Sequence, residues 1–230
     1  MAKGTVIVEF NGLPGLGKTT VANILIDELN KLGYKTVNGK YRRNIFYTLH
    51  HPFPELYSLK LYRLVSSYAK SIPPRGRKRT HVHWTNFYAC KYESIVKYSG
   101  ADFAIVDEAI IQFLGAMAFQ DRMPVSDKAT AIADRLKSMG IKFVRVDCVN
   151  HIEESARRIM SRPSRGLVFE SMQQDELLRT LEVEAANLEY MRSVFSKVYE
   201  DQLVITIDTL DAPEKNARII MDNLLNSRTR

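Results

Sequence analysis

The chain has 230 residues, of which 45% are hydrophobic and 26% charged, values that exclude disordered and collagen-like classes. The length suits one generous domain, or a core with a sizeable insertion, burying roughly 70 per cent of its unfolded surface without disulfide or metal staples. Lys and Arg number 33 against 26 Asp and Glu, a net charge of +7. That balance points to a phosphate-bearing partner without distinguishing small ligand, nucleic acid or membrane surface.

In chain order, Thr5–Phe10 reads as a short buried strand, β-branched and apolar. A glycine-rich turn follows, and the spacing of Val21, Ile24, Leu25, Leu29 and Leu32 predicts a helix from about Lys18 to Leu32, closed by Gly33. Lys35–Tyr41 is a second strand and Phe103–Val106 a third, ending in Asp107-Glu108. Asp127–Met139 is a helix capped by Gly140, Lys142–Cys148 a strand, and Ile152–Met160 and Asp175–Val198 helices. Leu203–Ile207 is the last strand, and Pro213–Leu225 a closing helix with proline in its first turn. Strands alternating with helices imply a parallel sheet covered on both faces.

The stretch from about Tyr41 to Tyr98 breaks that rhythm. It is aromatic, basic and helical in pattern, and reads as an insertion (41–100) within a single 1–230 domain. Residues 71–80 within it form a basic loop. Cys90 and Cys148 are too few for a disulfide framework or a metal site and read as reduced thiols. Thr5–Phe10 is too short, and too acidic at Glu9, for a secretory signal, and no run of 18 apolar residues exists. The expectation is a cytoplasmic protein with no membrane contact.

Gly12-Leu-Pro-Gly-Leu-Gly-Lys-Thr19 fits G-x-x-x-x-G-K-[ST] at every fixed position, between a predicted strand and a predicted helix. Gly15 and Gly17 permit backbone conformations that turn successive N–H groups inward as an anion nest. The helix N-terminus adds partial positive charge. Lys18 reaches the β- and γ-phosphates, and the Thr19 hydroxyl is placed to ligate Mg²⁺. Read alone, the pattern could be a chance glycine-rich turn; its strand–loop–helix context argues against that.

Asp107-Glu108 supplies the second motif, a carboxylate at the end of a parallel strand, where ligand crevices form. Asp107 is a candidate to hold Mg²⁺ through water, and either acid is a candidate base. A solvated turn is the plainer interpretation, and the glycine loop tips the balance toward function. The third motif is Arg157, Arg158, Arg162 and Arg165. Arg158 and Arg162 share a helix face if the helix continues that far. Arginines on a hinged loop can close over phosphates, while Glu153 and Glu154 are ordinary surface partners for them.

With these motifs in order, the chain resembles a P-loop kinase of the nucleoside-monophosphate kinase group, nearest to thymidylate kinase. Phe10–Thr20 resembles that group's phosphate loop, with Pro14 as in adenylate kinases; Ile152–Arg165 resembles its lid; and Val204–Pro213 resembles its last strand and adenine-side loop. The resemblance implies a three-layer α/β P-loop NTPase fold with a parallel sheet of about five strands, a helical insertion and an arginine-bearing lid (152–170). It implies ATP and Mg²⁺ as cofactors. Gly12, Leu13, Pro14, Gly15, Leu16, Gly17, Lys18, Thr19, Thr20 and Arg165 would bind the nucleotide. Lys18, Asp107, Glu108, Arg158 and Arg162 would be catalytic, and Thr19 and Asp107 would hold the metal. Arg42 and Arg43 stand where thymidylate kinases carry an acceptor-phosphate arginine, without its Arg-Glu-Pro-Gly motif. Asp107-Glu108-Ala109 replaces that family's Asp-Arg-Tyr. These departures touch the acceptor and leave the donor half intact.

The insertion must then define the acceptor. Residues 40–83 hold ten Lys or Arg against one acid, Glu55, for a net +9, so the rest of the chain carries −2. Arg42, Arg43, Arg63 and Arg75 are candidates for an acceptor phosphate, and Tyr57, Tyr62, Tyr68, Trp84, Phe87 and Tyr88 for stacking on a base, though most such aromatics belong to cores. His81 and His83 have no evident third metal ligand. ATP-dependent phosphoryl transfer to a nucleotide or other small phosphate-bearing acceptor ranks first. A P-loop ATPase or switch using Asp107-Glu108 ranks second. A polynucleotide kinase or nucleic-acid-binding protein, motivated by Arg75–Arg79, ranks third. A homodimer is left open.

Overall fold

The computed structural model describes residues 5–38, 59–71, 85, 87–89, 91–92, 95–96, 99–107, 110–117, 126–141, 143–162, 169 and 172–228. The elements run β1 (Val6–Asn11), α1 (Lys18–Lys31), β2 (Thr36–Asn38), α2 (Leu59–Lys70), β3 (Phe103–Val106), α3 (Ile110–Met117) and α4 (Ser126–Ser138). They continue with β4 (Phe143–Cys148), α5 (Ile152–Met160), α6 (Gln174–Val198), β5 (Val204–Ile207) and α7 (Pro213–Arg228).

The five strands form one parallel sheet in the order β2-β3-β1-β4-β5. β1 lies at its centre, pairing Glu9 with Val106 of β3 and with Arg145 of β4. Parallel sheets are covered on both faces, so their strands carry continuous apolar runs rather than strict alternation. Ile7, Ala104, Val106 and Phe143 point into one layer, with Leu61, Val65 and Tyr68 of α2, Tyr92, and helices α3, α4 and the C-terminal half of α6. Val8, Phe10, Ile105, Val144 and Val146 point into the other, with α1, α5, α7 and the first turns of α6. This is the parallel sheet covered on both faces that the strand–helix alternation predicts, in the three layers of the P-loop NTPase fold that the resemblance implies.

Most predicted boundaries fall within two residues of the observed ones. Leu32 differs: it follows the last helical residue and is 56% exposed, because Gly33, with φ of +85°, turns the chain away from the core. Tyr68 is core rather than a stacking surface, fully buried with its hydroxyl donating to the Leu114 carbonyl. Tyr62 and Arg63 lie on the outer face of α2. Arg42, Arg43, Glu108, Arg165, Tyr57, Trp84, His81, His83, Cys90 and the 72–80 basic stretch lie outside the described residues. Among the described residues no helix is long and apolar enough to cross a membrane.

Phe10 is wholly buried on the strand that carries the loop. Phe10→Ala should lower the unfolding free energy by about 3–5 kcal/mol in urea titrations. A loss under about 1 kcal/mol would mean that Phe10 does not pack as described.

Candidate active site

β1 leads directly into the loop that precedes α1. Gly15 and Gly17 have φ of +88° and +80°, the left-handed region that side chains rarely adopt. Gly17 is the N-cap of α1, and no side chain caps that helix, as an anion-receiving helix N-terminus requires. The loop's carbonyls are taken up by side chains from three helices. The Lys18 ammonium, itself buried, donates to the carbonyls of Gly12 at 2.7 Å and Leu13 at 2.8 Å. Ser155 of α5 donates to the Pro14 carbonyl. Arg192 of α6 donates from Nη2 to the carbonyls of Asn11 at 2.7 Å and Cys148 at 3.1 Å.

The packing is close. A Cβ built on Gly12 would lie 2.7 Å from Cβ of Cys148, and one on Gly15 would lie 3.0 Å from the Ser155 carbonyl oxygen. A Cβ on Gly17 would lie 3.4 Å from Nη1 of Arg158. Arg158 therefore stands over the glycine at the mouth of α1. Its Nε donates to Glu154, which also receives both nitrogens of the Arg157 fork. The two guanidiniums hold the Glu154 carboxyl down to about 2. Helix α5 ends at Met160, with Ser161 as its C-cap, so Arg162 lies past the helix and does not share a face with Arg158. Leu13 and Leu16 have core side chains, so only their backbone is left to face a ligand of the loop. Thr20 is exposed on the first turn of α1.

At the start of α1, Thr19 Oγ1 donates to Asp107 Oδ2 at 2.6 Å, joining residues 88 apart in the chain. The β1–β3 pairing sets up this contact, since it places Val106, the residue before Asp107, beside Glu9 near the end of β1. The two groups are hard oxygen donors of the kind Mg²⁺ takes. Lys91, from the helical residues of the insertion, is half-buried beside Asp107. Burial lowers its ammonium to about 8, and the Asp107 charge opposes that shift. Lys91 Nζ also lies 5.6 Å from the centroid of Phe87 and 5.3 Å from that of Tyr88. Tyr88 stacks on Phe113 with centroids 5.5 Å apart.

Beneath the loop lies a buried polar cluster. Glu9 is wholly buried; its Oε2 accepts from the Tyr92 hydroxyl at 2.8 Å and its Oε1 from the Ile111 N–H at 3.1 Å. Arg145 donates from Nε to Asp147 Oδ2 at 2.9 Å, and from Nη1 to the Arg192 carbonyl and the Ser196 hydroxyl, each at 2.9 Å. Arg192 Nε lies 3.2 Å from Asp147 Oδ1. Burial raises Asp147 above the ordinary carboxylate value while both arginines oppose the rise. Cys148 is buried and its thiol is pushed up to about 11, so it is an unreactive wall residue.

No protein-family model matches the chain, and no curated protein sequence does. Among solved structures it is similar to a deoxyadenosine kinase from M. mycoides with bound dCTP, at 16% identity and a TM-score of 0.49, covering 96% of this chain and 100% of that one. It is also similar to that enzyme with bound dATP, at 15% identity and a TM-score of 0.49, covering 95% and 98%. A third similar structure holds products dCMP and a flexible dCDP, at 16% identity and a TM-score of 0.48, covering 96% and 99%.

Lys18, Thr19, Asp107 and Arg158 thus come together around the glycine loop and the start of α1. Lys91, Ser155, Arg192 and Glu9 join them without having been picked out by motif. For Glu9 and Arg192 a signal was present: Glu9, like Arg145 and Asp147, is a polar residue inside a strand otherwise apolar, and Arg192 follows the apolar positions Leu188 and Met191.

Burial raises the Glu9 carboxyl from 4.5 to about 7, against the lowering effect of its hydrogen bonds and of Arg145. Between those pH values the folded chain holds a proton that the unfolded chain has released. Stability therefore falls as pH rises through that window, by on the order of 3 kcal/mol, and stays lower above it. Glu9→Gln should flatten this slope in urea unfolding at pH 5 and pH 8. An undiminished slope would locate the proton elsewhere.

Proposed function

We propose that this protein transfers the γ-phosphoryl group of ATP to a nucleotide or other small phosphate-bearing acceptor, with Mg²⁺. The contact between Thr19 Oγ1 and Asp107 Oδ2 carries the reading, since it joins the phosphate-loop hydroxyl to the carboxylate of the neighbouring strand. Those two side chains would hold Mg²⁺, which when bound neutralises phosphate charge. The chain's own residues supply the rest. The nest at Gly15 and Gly17 and the open N-terminus of α1 bind phosphate oxygens. Lys18, held near the loop by its carbonyls, can exchange those contacts for the β- and γ-phosphates. Arg158, held over Gly17 by Glu154, meets negative charge that develops as the phosphoryl group moves.

Transfer is favoured over hydrolysis by Lys91, whose charge acts on Asp107, and by the rings on which it packs. Phe87 and Lys91 supply an aromatic ring and a cation, groups suited to a base and a phosphate rather than to a lone water. Arg42 and Arg43 would add charge around the same acceptor, Arg165 would bind the nucleotide, and Asp107 or Glu108 would take the acceptor's proton. The basic insertion is assigned to this acceptor rather than to nucleic acid, because one of its described cations, Lys91, lies beside Asp107.

A transfer screen with labelled ATP across nucleosides, nucleotides, sugars and short oligonucleotides should move label to one acceptor class. Lys18→Ala should cut that transfer about a thousandfold, with the far-ultraviolet spectrum retained. ATP hydrolysis that no acceptor alters, or full activity in Lys18→Ala, would overturn the reading.

Lys91→Met should lower kcat/KM for the preferred acceptor by about tenfold or more and leave the KM for ATP within about twofold. Equal effects on both substrates would remove Lys91 from the acceptor side.

A further inference from the structure

We propose that Glu9 is a positioning residue that sets the acceptor side of the site against the phosphate loop, using one buried carboxyl to hold two separate segments. Its Oε2 accepts from the Tyr92 hydroxyl at 2.8 Å, which fixes the residue next to Lys91. Its Oε1 accepts from the Ile111 N–H at 3.1 Å, which fixes the first turn of α3 beyond Asp107. Glu9 itself lies two residues before Asn11, where β1 becomes the loop, and pairs with Val106, the residue before Asp107. Loop, metal-side carboxylate and acceptor-side cation are thereby referred to one point.

A wholly buried acid is costly to keep on the central strand of a sheet. A leucine there would pack against Ile110, Ile111 and Tyr92 without that cost. What the carboxyl provides and leucine cannot is directional attachment to two groups at once, on segments the sheet does not otherwise tie together. Charged and titratable groups surround it. Tyr92 comes from the insertion, Arg145 and Asp147 from β4, and Tyr199 from the end of α6; α3 contributes the Ile111 N–H. Protonation would exchange the charge-assisted bond from the Tyr92 hydroxyl for a weaker neutral one in which that hydroxyl can accept, so the alignment should loosen at acid pH.

The inference rests on the transfer reading above, and two measurements separate them. Hydrogen exchange should show lost protection in 87–92 and 110–117 for Tyr92→Phe and for Glu9→Gln, with α1 and β4 amides unchanged. Kinetics should use MgATP and an equimolar mixture of the four deoxynucleosides and their 5′-monophosphates. Each variant should lose about tenfold to a hundredfold in kcat/KM for the mixture while the KM for ATP stays within about twofold. Glu9→Gln should also lose the acid limb of the wild-type pH profile between pH 6 and 8. The pair Glu9→Leu with Tyr92→Phe removes both polar partners and keeps a packed core, so the same acceptor loss must appear in a stably folded chain. Exchange that changes everywhere or nowhere, or parallel changes for both substrates, would overturn the role of Glu9. If the wild type phosphorylates nothing in the mixture, the transfer reading fails for those acceptors, and the exchange arm still decides whether Glu9 holds the two segments.

Discussion

A phosphate loop must leave its N–H groups open to an anion, and its carbonyls then have to find donors elsewhere. That requirement organises the molecule. Buried carbonyls without partners cost free energy comparable to a lost hydrogen bond. Here Lys18 takes those of Gly12 and Leu13, Ser155 that of Pro14, and Arg192 those of Asn11 and Cys148. The three donors come from α1, α5 and α6, so the loop's shape is maintained by elements spread over the chain from residue 18 to residue 192.

The ion cluster under the sheet follows from the same requirement. Arg192 can serve two carbonyls only if its own charge is compensated, and Asp147 stands 3.2 Å from its Nε. Asp147 is shared with Arg145, which in turn binds the Arg192 carbonyl. A buried ion pair is weak as a source of stability and stronger as a device that fixes geometry. In this protein it selects one relation between β1, β4 and α6, on which the loop stands. The surface pairs of Glu154 do a different job, orienting an arginine at the mouth of the loop.

The fold was legible because burial writes itself into sequence spacing. The continuous apolar run Phe103–Val106 fell at its observed bounds, and so did Ile152–Met160 with its polar outer face. The phosphate loop was legible because few residue types satisfy its backbone. What spacing cannot convey is which distant groups meet. Asp107 could be selected as an acid after a strand, but its contact with Thr19 depends on strand order, with β3 beside β1. Lys91 gave no signal, because a lysine among aromatics in a basic insertion has the same pattern whether it faces water or a carboxylate. Glu9 was visible as an oddity in an apolar strand, yet its partners Tyr92 and Ile111 are 83 and 102 residues away. Tyr68 misled as a candidate stacking residue since its hydroxyl is satisfied inside the core by the Leu114 carbonyl.

The contact between Gly12 and Cys148 bears on which sequences this fold can accept. With a built Cβ only 2.7 Å from that of Cys148, the two positions behave as one steric unit across neighbouring strands. Any side chain at 12 is tested first by the wall at 148, and enlargement at 148 is tested by the backbone of the loop. Substitutions tolerated singly elsewhere in the chain would there be conditional on one another, and variation at position 148 becomes a gauge of how tightly the glycine loop is held to its sheet.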